Sequence, residues 1–291
     1  MSFRVVTIKS RCKLEFSLNY MVCRGENESR IYIDEISTLI IQNTGVTLTA
    51  ALISVLLSKK VKIIFCDSQH NPQGELIPYY GTYDSYGKIT NQIKWKKTTQ
   101  DEIWKIIIMK KIDNQRKNLL LTEHNDAAIK LSEYMNQITP GDTTNREGHS
   151  AKVYFNALFG LGFSRGNDDF IENKYLNYGY AILLSLINRE IKIAGYLTEL
   201  GIHHIGNENP FNISCDFIEP LRPYVDLKVI KKDINESNYK NKFIEMLSEK
   251  VFFNNNEMYL DNAIHLYVQS IFIALRDNDT SKISFVEYEC I

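Results

Sequence analysis

The sequence predicts an α+β protein in which an N-terminal β-sandwich-like domain is followed by a larger all-α domain. Two observations support this fold class. Apolar residues recur at short, strand-like intervals with frequent turns as far as residue 80, and patterns of helical spacing occupy the rest of the chain. The change of pattern predicts a β-rich domain over 1–80 and a helical domain over 81–291, with the boundary at 78–90. A chain of 291 residues is long enough to form both cores.

The N-terminal domain is predicted to contain strands interrupted by one helix. The strand segments combine β-branched and aromatic residues with turn residues at their ends; they are 3–8, 13–18, 21–23, 30–33, 38–42, 61–65 and 76–79. Residues 47–57 space leucine and valine at helical intervals. The sequence Asn-Pro-Gln-Gly at 71–74 predicts a turn before the last strand.

The second domain is predicted to be a series of helices, at 99–121, 126–138, 145–158, 176–200, 214–231, 239–252 and 258–275. Thr99 and Glu102 have the spacing of a capping box at the start of the first of these helices. Pro140 and Gly141 separate two helices, and 201–212 is predicted to be a loop.

Composition excludes several classes of protein. No segment approaches the roughly 18 consecutive apolar residues of a membrane-spanning helix, and the N-terminus lacks the apolar stretch of a secretory signal. The five cysteines are odd in number and include no C-x-x-C pair, so a disulfide framework is not predicted. We therefore expect a cytoplasmic protein that makes no contact with membranes.

The distribution of charge bears on nucleic-acid binding. The formal net charge of −1 argues against a nucleic-acid partner. However, 1–80 carries 9 basic and 7 acidic side chains, 81–146 carries 11 and 8, and 147–291 carries 14 and 20. Basic residues concentrate in 88–117, which is either a solvated helix face or a surface that follows a phosphate backbone. The candidates for that surface are Lys94, Lys96, Lys97, Lys110 and Lys111.

Three polar clusters lie in the helical domain. In the first, Arg-Glu-Gly-His-Ser at 146–150, Glu147 occupies the first turn of a helix, where a carboxylate is commonly a surface residue favoured by the helix dipole. In the second, Gly-Ile-His-His at 201–204, the adjacent histidines point in opposite directions along an extended chain. At most one of His203 and His204 is therefore expected to bind a given metal ion.

The third cluster contains Asp216 and Glu219, which helical spacing would place on one face. Two neighbouring acids raise each other's proton affinity unless a cation neutralises them. The cluster is either an acidic helix N-terminus or a divalent metal site to which folding brings His204 and Glu147.

Other types of site lack their motifs. The chain contains neither of the glycine-rich loops that bind nucleotides and no G-x-S-x-G nucleophile motif. Cys66 and His70 have no second ligand pair, so a zinc site is not expected. His70, His124 and His265 are interpreted as structural or surface residues.

Taken in order, the clusters resemble the CRISPR adaptation integrase family. The resemblance rests on R-E-G-H-S-A-K-V-Y-F at 146–155, L-N-Y-G-Y-A-I-L at 176–183, G-I-H-H at 201–204, N-P-F-N at 209–212 and D-F-I-E-P-L-R-P-Y-V-D at 216–226. The G-I-H-H and N-P-F-N segments look most like the type II-A branch. The chain departs from the wider family at a loop that commonly reads G-L-D-P.

The resemblance implies that Glu147, His204 and Glu219 are catalytic residues that bind Mg²⁺ or Mn²⁺. Asp216, His203 and Arg146 would support them, and an exchange of roles between His203 and His204 remains open. The implied reaction inserts prespacer DNA into a CRISPR array, as the prespacer 3′-hydroxyl attacks a phosphodiester at the repeat boundary. Catalysis would take place in the all-α domain.

The resemblance also implies partners. These are double-stranded prespacer DNA, CRISPR repeat DNA, a second copy of the chain in a homodimer, a small ferredoxin-like adaptation protein in a heterohexamer, and type II-A accessory factors. Two alternatives remain: a metal-dependent nuclease of branched or double-stranded DNA without physiological strand transfer, and a nonenzymatic subunit that only holds DNA.

Overall fold

The N-terminal strands form two four-stranded sheets in the computed structural model, which describes residues 4–68, 70, 72–79, 84–231 and 233–288. The strands are β1 (Arg4–Ile8), β2 (Lys13–Ser17), β3 (Tyr20–Arg24), β4 (Glu28–Tyr32), β5 (Ile36–Ile41), β6 (Thr47–Leu48), β7 (Lys62–Cys66) and β8 (Pro72–Leu76), with helix α1 (Ala50–Ser58) between β6 and β7. The first sheet has the order β1-β5-β7-β8, and only β8 pairs in an antiparallel manner. The second has the order β4-β3-β2-β6, in which β6 pairs parallel to β2.

Both sheets contribute to one apolar core. Leu14 and Met21 from the second sheet are fully buried in the same cluster as Leu39 and Ile63 from the first. Helix α1 adds Leu52 to this cluster. The residues of β5 are buried along its whole length, as expected of a central strand covered on both faces. The predicted β-sandwich-like arrangement followed by helices is thus confirmed.

The remainder of the chain is mainly helical. Its helices are α2 (Ser85–Ile93), α3 (Lys97–Leu121), α4 (Asn125–Met135), α5 (Arg146–Phe159), α6 (Ile171–Ile193), α7 (Asn212–Ile218), α8 (Arg222–Ile230), α9 (Tyr239–Met246) and α10 (Leu260–Asp277). A 3₁₀ turn, Glu219–Leu221, joins α7 to α8. Helix α3 packs against α4, α5, α8 and α10, and α6 packs against α7 to α10. These two long helices form the centre of a second core that includes Trp104 and Leu183.

The mainly helical second domain also contains a small sheet that was not predicted. Strands β9 (Lys250–Phe253), β10 (Asn256–Tyr259) and β11 (Val286–Glu287) form a small antiparallel sheet. Helix α9 therefore ends at Met246 rather than at 252. The strand β9 buries Val251 and Phe253 on alternate positions. Asn254 and Asn255 both have positive φ, 50° and 63°, as the tight turn of a two-residue hairpin requires.

Three other local predictions are also wrong. Thr99 does not cap α3, because the helix begins at Lys97. The Thr99 hydroxyl instead donates to Asn278 Oδ1 at 2.9 Å. Helix α6 ends at Ile193, and Gly195 follows with φ of 86°. The segment 72–74 belongs to β8, at a sheet edge where proline does not disrupt a ladder. Phe3 and Asn71 lie outside the described residues. Residues 80–83 do too, and they belong to the predicted domain boundary at 78–90.

Arg189 of α6 connects the helical part to the first sheet. It is buried, donates to the backbone oxygen of Ser37 at 3.1 Å, and pairs with Asp261 and with Glu190 at 2.6 Å. His265 Nδ1 lies 2.6 Å from the other oxygen of Glu190. Among the described residues, no helix combines the length and apolar character needed to cross a bilayer.

Candidate active site

The structure brings Glu147, His204 and Glu219 to one cavity of about 320 Å³. Glu147 lies in the first turn of α5, His204 in the loop after α6, and Glu219 at the start of the 3₁₀ turn after α7. Three segments that are distant in sequence therefore contribute one predicted site residue each.

Glu147 is positioned by a helix start that two side chains stabilise. The carboxylate of Asp142 accepts hydrogen bonds from the backbone N–H groups of Arg146 and Glu147, each at 2.9 Å. Asn145 has left-handed φ of 52°, and its side-chain oxygen accepts from Gly148 N at 3.2 Å. These bonds satisfy donors that a helix start otherwise leaves unpaired. The orientation of α5 at the cavity is thereby determined.

Asp216 positions His204. Its carboxylate is fully buried and accepts from the backbone N–H groups of Ile202 at 2.6 Å, His203 at 3.2 Å and His204 at 3.0 Å. It also lies 2.6 Å from His204 Nδ1. Because the carboxylate can only accept, Nδ1 is the ring nitrogen that donates to it, and Nε2 is the nitrogen that remains available to a ligand. The hydrogen bond to Asp216 raises the pKa of His204, although burial opposes this shift.

The loop that carries His204 requires glycine at position 201. A Cβ atom there would lie 2.2 Å from the backbone oxygen of His204 and 2.8 Å from Asp216 Oδ2. No side chain fits in that space. Gly201 therefore permits the close packing between the loop and α7.

His203 has a different environment from its neighbour. Its ring stacks on Trp104 with the centroids 4.1 Å apart and an interplanar angle of 5°. Burial lowers the pKa of His203. His204 is among the residues that line the cavity with Glu147 and Glu219, whereas His203 is not. The geometry thus favours His204 over His203 as a ligand.

Glu219 is nearly completely buried and has two cationic partners. Arg222 Nε lies 2.8 Å from Oε1, and Lys111 Nζ lies 2.5 Å from Oε2. Burial alone would raise the pKa of the Glu219 carboxyl, but Arg222 and Lys111 lower it to about 2. Helix α7 ends just before Glu219, so Asp216 and Glu219 are buried in different surroundings rather than displayed on one helix face.

Lys111 lies between the two glutamates. Its Nζ atom is also 2.6 Å from Glu147 Oε1, and the residue is 6% exposed. Lys111 was predicted to contact DNA from the protein surface, and this placement is wrong because the side chain is buried by its carboxylate partners. Within the part of the chain that the structure describes, no three His, Cys, Asp or Glu side chains are close enough together to hold an ion.

The cavity nevertheless fits a divalent cation by its chemistry. Two carboxylates and one imidazole nitrogen are donors that Mg²⁺ and Mn²⁺ accept. The ammonium of Lys111 shows that these carboxylates already converge on a positive charge. Glu147, Glu219 and His204 could therefore hold such an ion if the lysine moved away and the three side chains closed around the ion.

The other predicted basic residues differ in exposure. Lys94, Lys96 and Lys97 are exposed near the start of α3, and Lys97 pairs with Asp101 at 2.8 Å. The Lys110 side chain is 12% exposed and pairs with Glu287. Arg146 lies outside the cavity lining, with its guanidinium 5.4 Å from the centre of the Tyr134 ring.

Several residues of the cavity lining were not predicted from the sequence: Gln115, Arg165, Tyr180, Arg222 and Asp226. Arg222 stacks on Tyr180 at 4.6 Å, and the Tyr180 hydroxyl donates to Asp226. Burial raises the pKa of Asp226 to about 6. Tyr180, Arg222 and Asp226 have a sequence signal, because they lie within the segments 176–183 and 216–226 that carry the family resemblance; Gln115 and Arg165 lie in neither segment.

Comparisons with known proteins agree with this arrangement. The sequence model of the family described as "CRISPR associated protein Cas1" matches residues 6–259. The CRISPR-associated endonuclease Cas1 of Neisseria meningitidis serogroup C (strain 8013) is 35% identical over 231 residues, which cover 79% of this chain and 76% of the relative. The chain belongs to the Cas1 family. The family resemblance seen in the ordered motifs is confirmed.

Solved structures share the Cas1 fold at lower sequence identity. A structure described as "Casposase bound to integration product" is 19% identical with a TM-score of 0.73, over 96% of this chain and 92% of that chain. One described as "Cas6-RT-Cas1--Cas2 complex" is 16% identical with a TM-score of 0.74. The match covers 96% of this chain but spans only 36% of that longer chain.

Proposed function

We propose that this Cas1 family member is a metal-dependent DNA integrase and endonuclease. It would insert prespacer DNA into a CRISPR array through attack of the prespacer 3′-hydroxyl on a phosphodiester at the repeat boundary. The observation that carries the proposal is the convergence of Glu147, His204 and Glu219 on one cavity. The Neisseria relative is named an endonuclease, and the casposase structure is described as bound to an integration product.

Glu147, Glu219 and the Nε2 atom of His204 would hold Mg²⁺ or Mn²⁺. When bound, such an ion offsets the negative charge that develops on an attacked phosphodiester. Asp216 holds the imidazole in the tautomer that leaves Nε2 free, and Arg222 keeps one oxygen of Glu219 in place. DNA supplies both the attacking hydroxyl and the leaving oxygen, so the reaction needs no protein nucleophile.

The DNA-binding part of the proposal rests on exposed lysines near the start of α3. Lys94, Lys96 and Lys97 are exposed on a segment that carries more basic than acidic residues. They are suited to neutralise phosphates of double-stranded prespacer DNA or of CRISPR repeat DNA.

The proposed assembly follows the family resemblance. It contains a homodimer of this chain, a small ferredoxin-like adaptation protein in a heterohexamer and, for the type II-A branch, accessory factors. The structure described as a Cas6-RT-Cas1--Cas2 complex is consistent with a Cas partner. A cytoplasmic location is proposed from the cysteines; Cys12, Cys23, Cys66 and Cys215 are all free.

A strand-transfer assay with a labelled prespacer, repeat DNA, the small partner protein and Mn²⁺ tests this function. We expect Glu147→Gln and Glu219→Gln to lower strand transfer at least about a hundredfold. Glu257→Gln, which alters a glutamate paired with Lys250 in the β9–β10 hairpin, is the matched control. Full strand transfer by either site variant would reject the site.

The products of the same assay separate the alternatives. Ligated products support an integrase, whereas hydrolysed products alone would identify a nuclease without strand transfer. A nonenzymatic DNA-holding subunit predicts that a chelator changes no DNA reaction, while high salt still abolishes DNA binding.

A further inference from the structure

The ammonium of Lys111 is located where two proposed metal ligands meet. Its Nζ atom lies 2.6 Å from Glu147 Oε1 and 2.5 Å from Glu219 Oε2. The lysine comes from α3, whereas the glutamates come from α5 and from the turn after α7. The Lys111 side chain is 7% exposed, so bulk water screens these charges poorly. The positive charge of this α3 side chain therefore holds together two carboxylates from two other elements.

An ammonium and a divalent cation cannot share this position. A bound Mg²⁺ ion lies about 2.1 Å from its oxygen ligands, so it would occupy the space between the carboxylates that Lys111 now fills. Two cations at that separation in a buried site also repel each other strongly. Conversely, without any cation the two carboxylates would repel each other. Binding of metal to both glutamates therefore requires the lysine to move.

Lys111 is better suited to move than the other cation at the site. Arg222 bonds to Glu219 Oε1 at 2.8 Å, and its planar guanidinium stacks on Tyr180. Lys111 carries its charge at the end of a flexible four-carbon chain and, among the residues that the structure describes, makes no such stacking contact. Arg222 can thus keep Glu219 in place while Lys111 releases it.

The structure also offers a destination for the ammonium. Gln115 lies one helical turn after Lys111 on α3 and lines the same cavity. Its Oε1 atom is buried and accepts no hydrogen bond from the described residues. Side chains four residues apart on a helix are neighbours, and helical side chains lean toward the N-terminus, which brings Gln115 toward Lys111. An unpaired buried oxygen is unfavourable, and an ammonium would satisfy it.

We propose that Lys111 is a tethered counter-ion that holds Glu147 and Glu219 together in the metal-free protein and moves to Gln115 when a divalent cation binds. The proposal rests on the proposed metal site. It makes metal binding an exchange of one cation for another. Lys111 is then a positioning residue that stabilises the metal-free site and lowers its apparent affinity for metal.

Titration of the protein with Mn²⁺, followed by electron paramagnetic resonance, tests the exchange. We expect Lys111→Met to bind Mn²⁺ about tenfold more tightly or better, because no ion pair competes with the metal. The same variant should melt at a lower temperature without metal and show a larger rise in melting temperature on addition of Mn²⁺. Lys228→Met, which removes a lysine paired with Glu249, should retain the affinity of the wild type for Mn²⁺.

Gln115→Leu tests the destination of the ammonium. In the wild-type background it should weaken Mn²⁺ binding several-fold, because the displaced lysine loses its acceptor. In the Lys111→Met background it should have no effect on Mn²⁺ affinity. Equal weakening in both backgrounds would show that Gln115 acts on the metal itself and would overturn the exchange.

The outcomes distinguish this proposal from the metal site on which it rests. If the Glu147→Gln variant binds Mn²⁺ as tightly as the wild type does, the metal site itself is rejected. If the wild type binds Mn²⁺ at this site but Lys111→Met binds it no more tightly, only the counter-ion is rejected. If Lys111→Met does not fold without metal, Lys111→Gln replaces it, because glutamine keeps a hydrogen-bond donor but has no charge. We expect this variant also to bind Mn²⁺ more tightly than the wild type.

Discussion

His204 Nδ1 lies 2.6 Å from Oδ1 of Asp216, a carboxylate that is completely buried. The same carboxylate accepts three backbone N–H bonds from the loop that carries the histidine. Loop conformation, ring orientation and tautomer of His204 thus depend on one side chain. Asp216 itself does not line the cavity and contacts it only through His204.

Asp216→Asn should disrupt this relationship with little change of shape. The amide nitrogen would face an N–H donor in place of a carboxylate oxygen. We expect the free energy of unfolding to fall by about 2–3 kcal/mol and Mn²⁺ affinity to fall at least about tenfold. Urea denaturation and a Mn²⁺ titration measure the two effects. Asp277→Asn, at an exposed residue paired with Arg276, is the control; unchanged Mn²⁺ affinity in Asp216→Asn would contradict the prediction.

The adjacent histidines allow a direct comparison. His204→Ala should lower Mn²⁺ affinity at least about tenfold, since the imidazole that Asp216 orients is lost. His203→Ala should mainly remove the stacking contact with Trp104 and lower stability by about 1 kcal/mol. The measurements are Mn²⁺ affinity and urea denaturation of both variants. The reverse pattern of affinities would identify His203 as the ligand.

Periodicity of apolar residues predicted the bounds of some helices closely, although it misplaced both ends of α6. Helices α3 and α10 lie within two residues of their predicted positions because many turns repeat the same apolar spacing. The hairpin of β9 and β10 was missed, because its few apolar residues continue the helical spacing of α9. Its signal is the Asn-Asn turn at 254–255, which adopts positive φ at both positions.

The limits of prediction at the site have a similar physical cause. Motif order indicated Glu147, His204 and Glu219, and the structure places them at one cavity. Lys111 belongs to the same basic stretch as the exposed lysines before it, and a lysine side chain by itself predicts exposure. Only the packing of α3 against α5 and the 3₁₀ turn buries it between two carboxylates, and that packing depends on contacts distant in sequence.

The exposed lysines near the start of α3 should contribute to binding of DNA of any sequence. Replacing Lys94, Lys96 and Lys97 together with Glu should weaken binding to all duplexes alike and reduce the slope of log affinity against log salt by about 0.9 for each lost phosphate contact. Fluorescence anisotropy at several salt concentrations gives both values. Lys282→Glu is the control for charge reversal at an exposed lysine. Unaltered affinity and slope would identify the segment as a solvated helix face.

The His265–Glu190 contact should make stability depend on pH. Its hydrogen bond to Glu190 raises the pKa of His265 above the ordinary histidine value of about 6.5, while burial and Arg189 oppose the shift and Asp261 supports it. Because the folded-state pKa is the higher one, the stabilisation is fully present below about pH 6.5 and is lost as pH rises through the raised pKa. His265 is half exposed, so we expect a contribution below about 1 kcal/mol.

Urea denaturation of the wild type and His265→Gln at pH 6 and pH 8 tests this dependence. The wild type should lose more unfolding free energy than the variant over this interval, since only the wild type loses a charged partner of Glu190. His149→Gln, which removes an exposed histidine beside Tyr134, controls for the loss of a histidine elsewhere. If wild type and His265→Gln respond equally to pH, the contact with Glu190 does not couple protonation to folding, and Arg189 alone compensates the buried carboxylate.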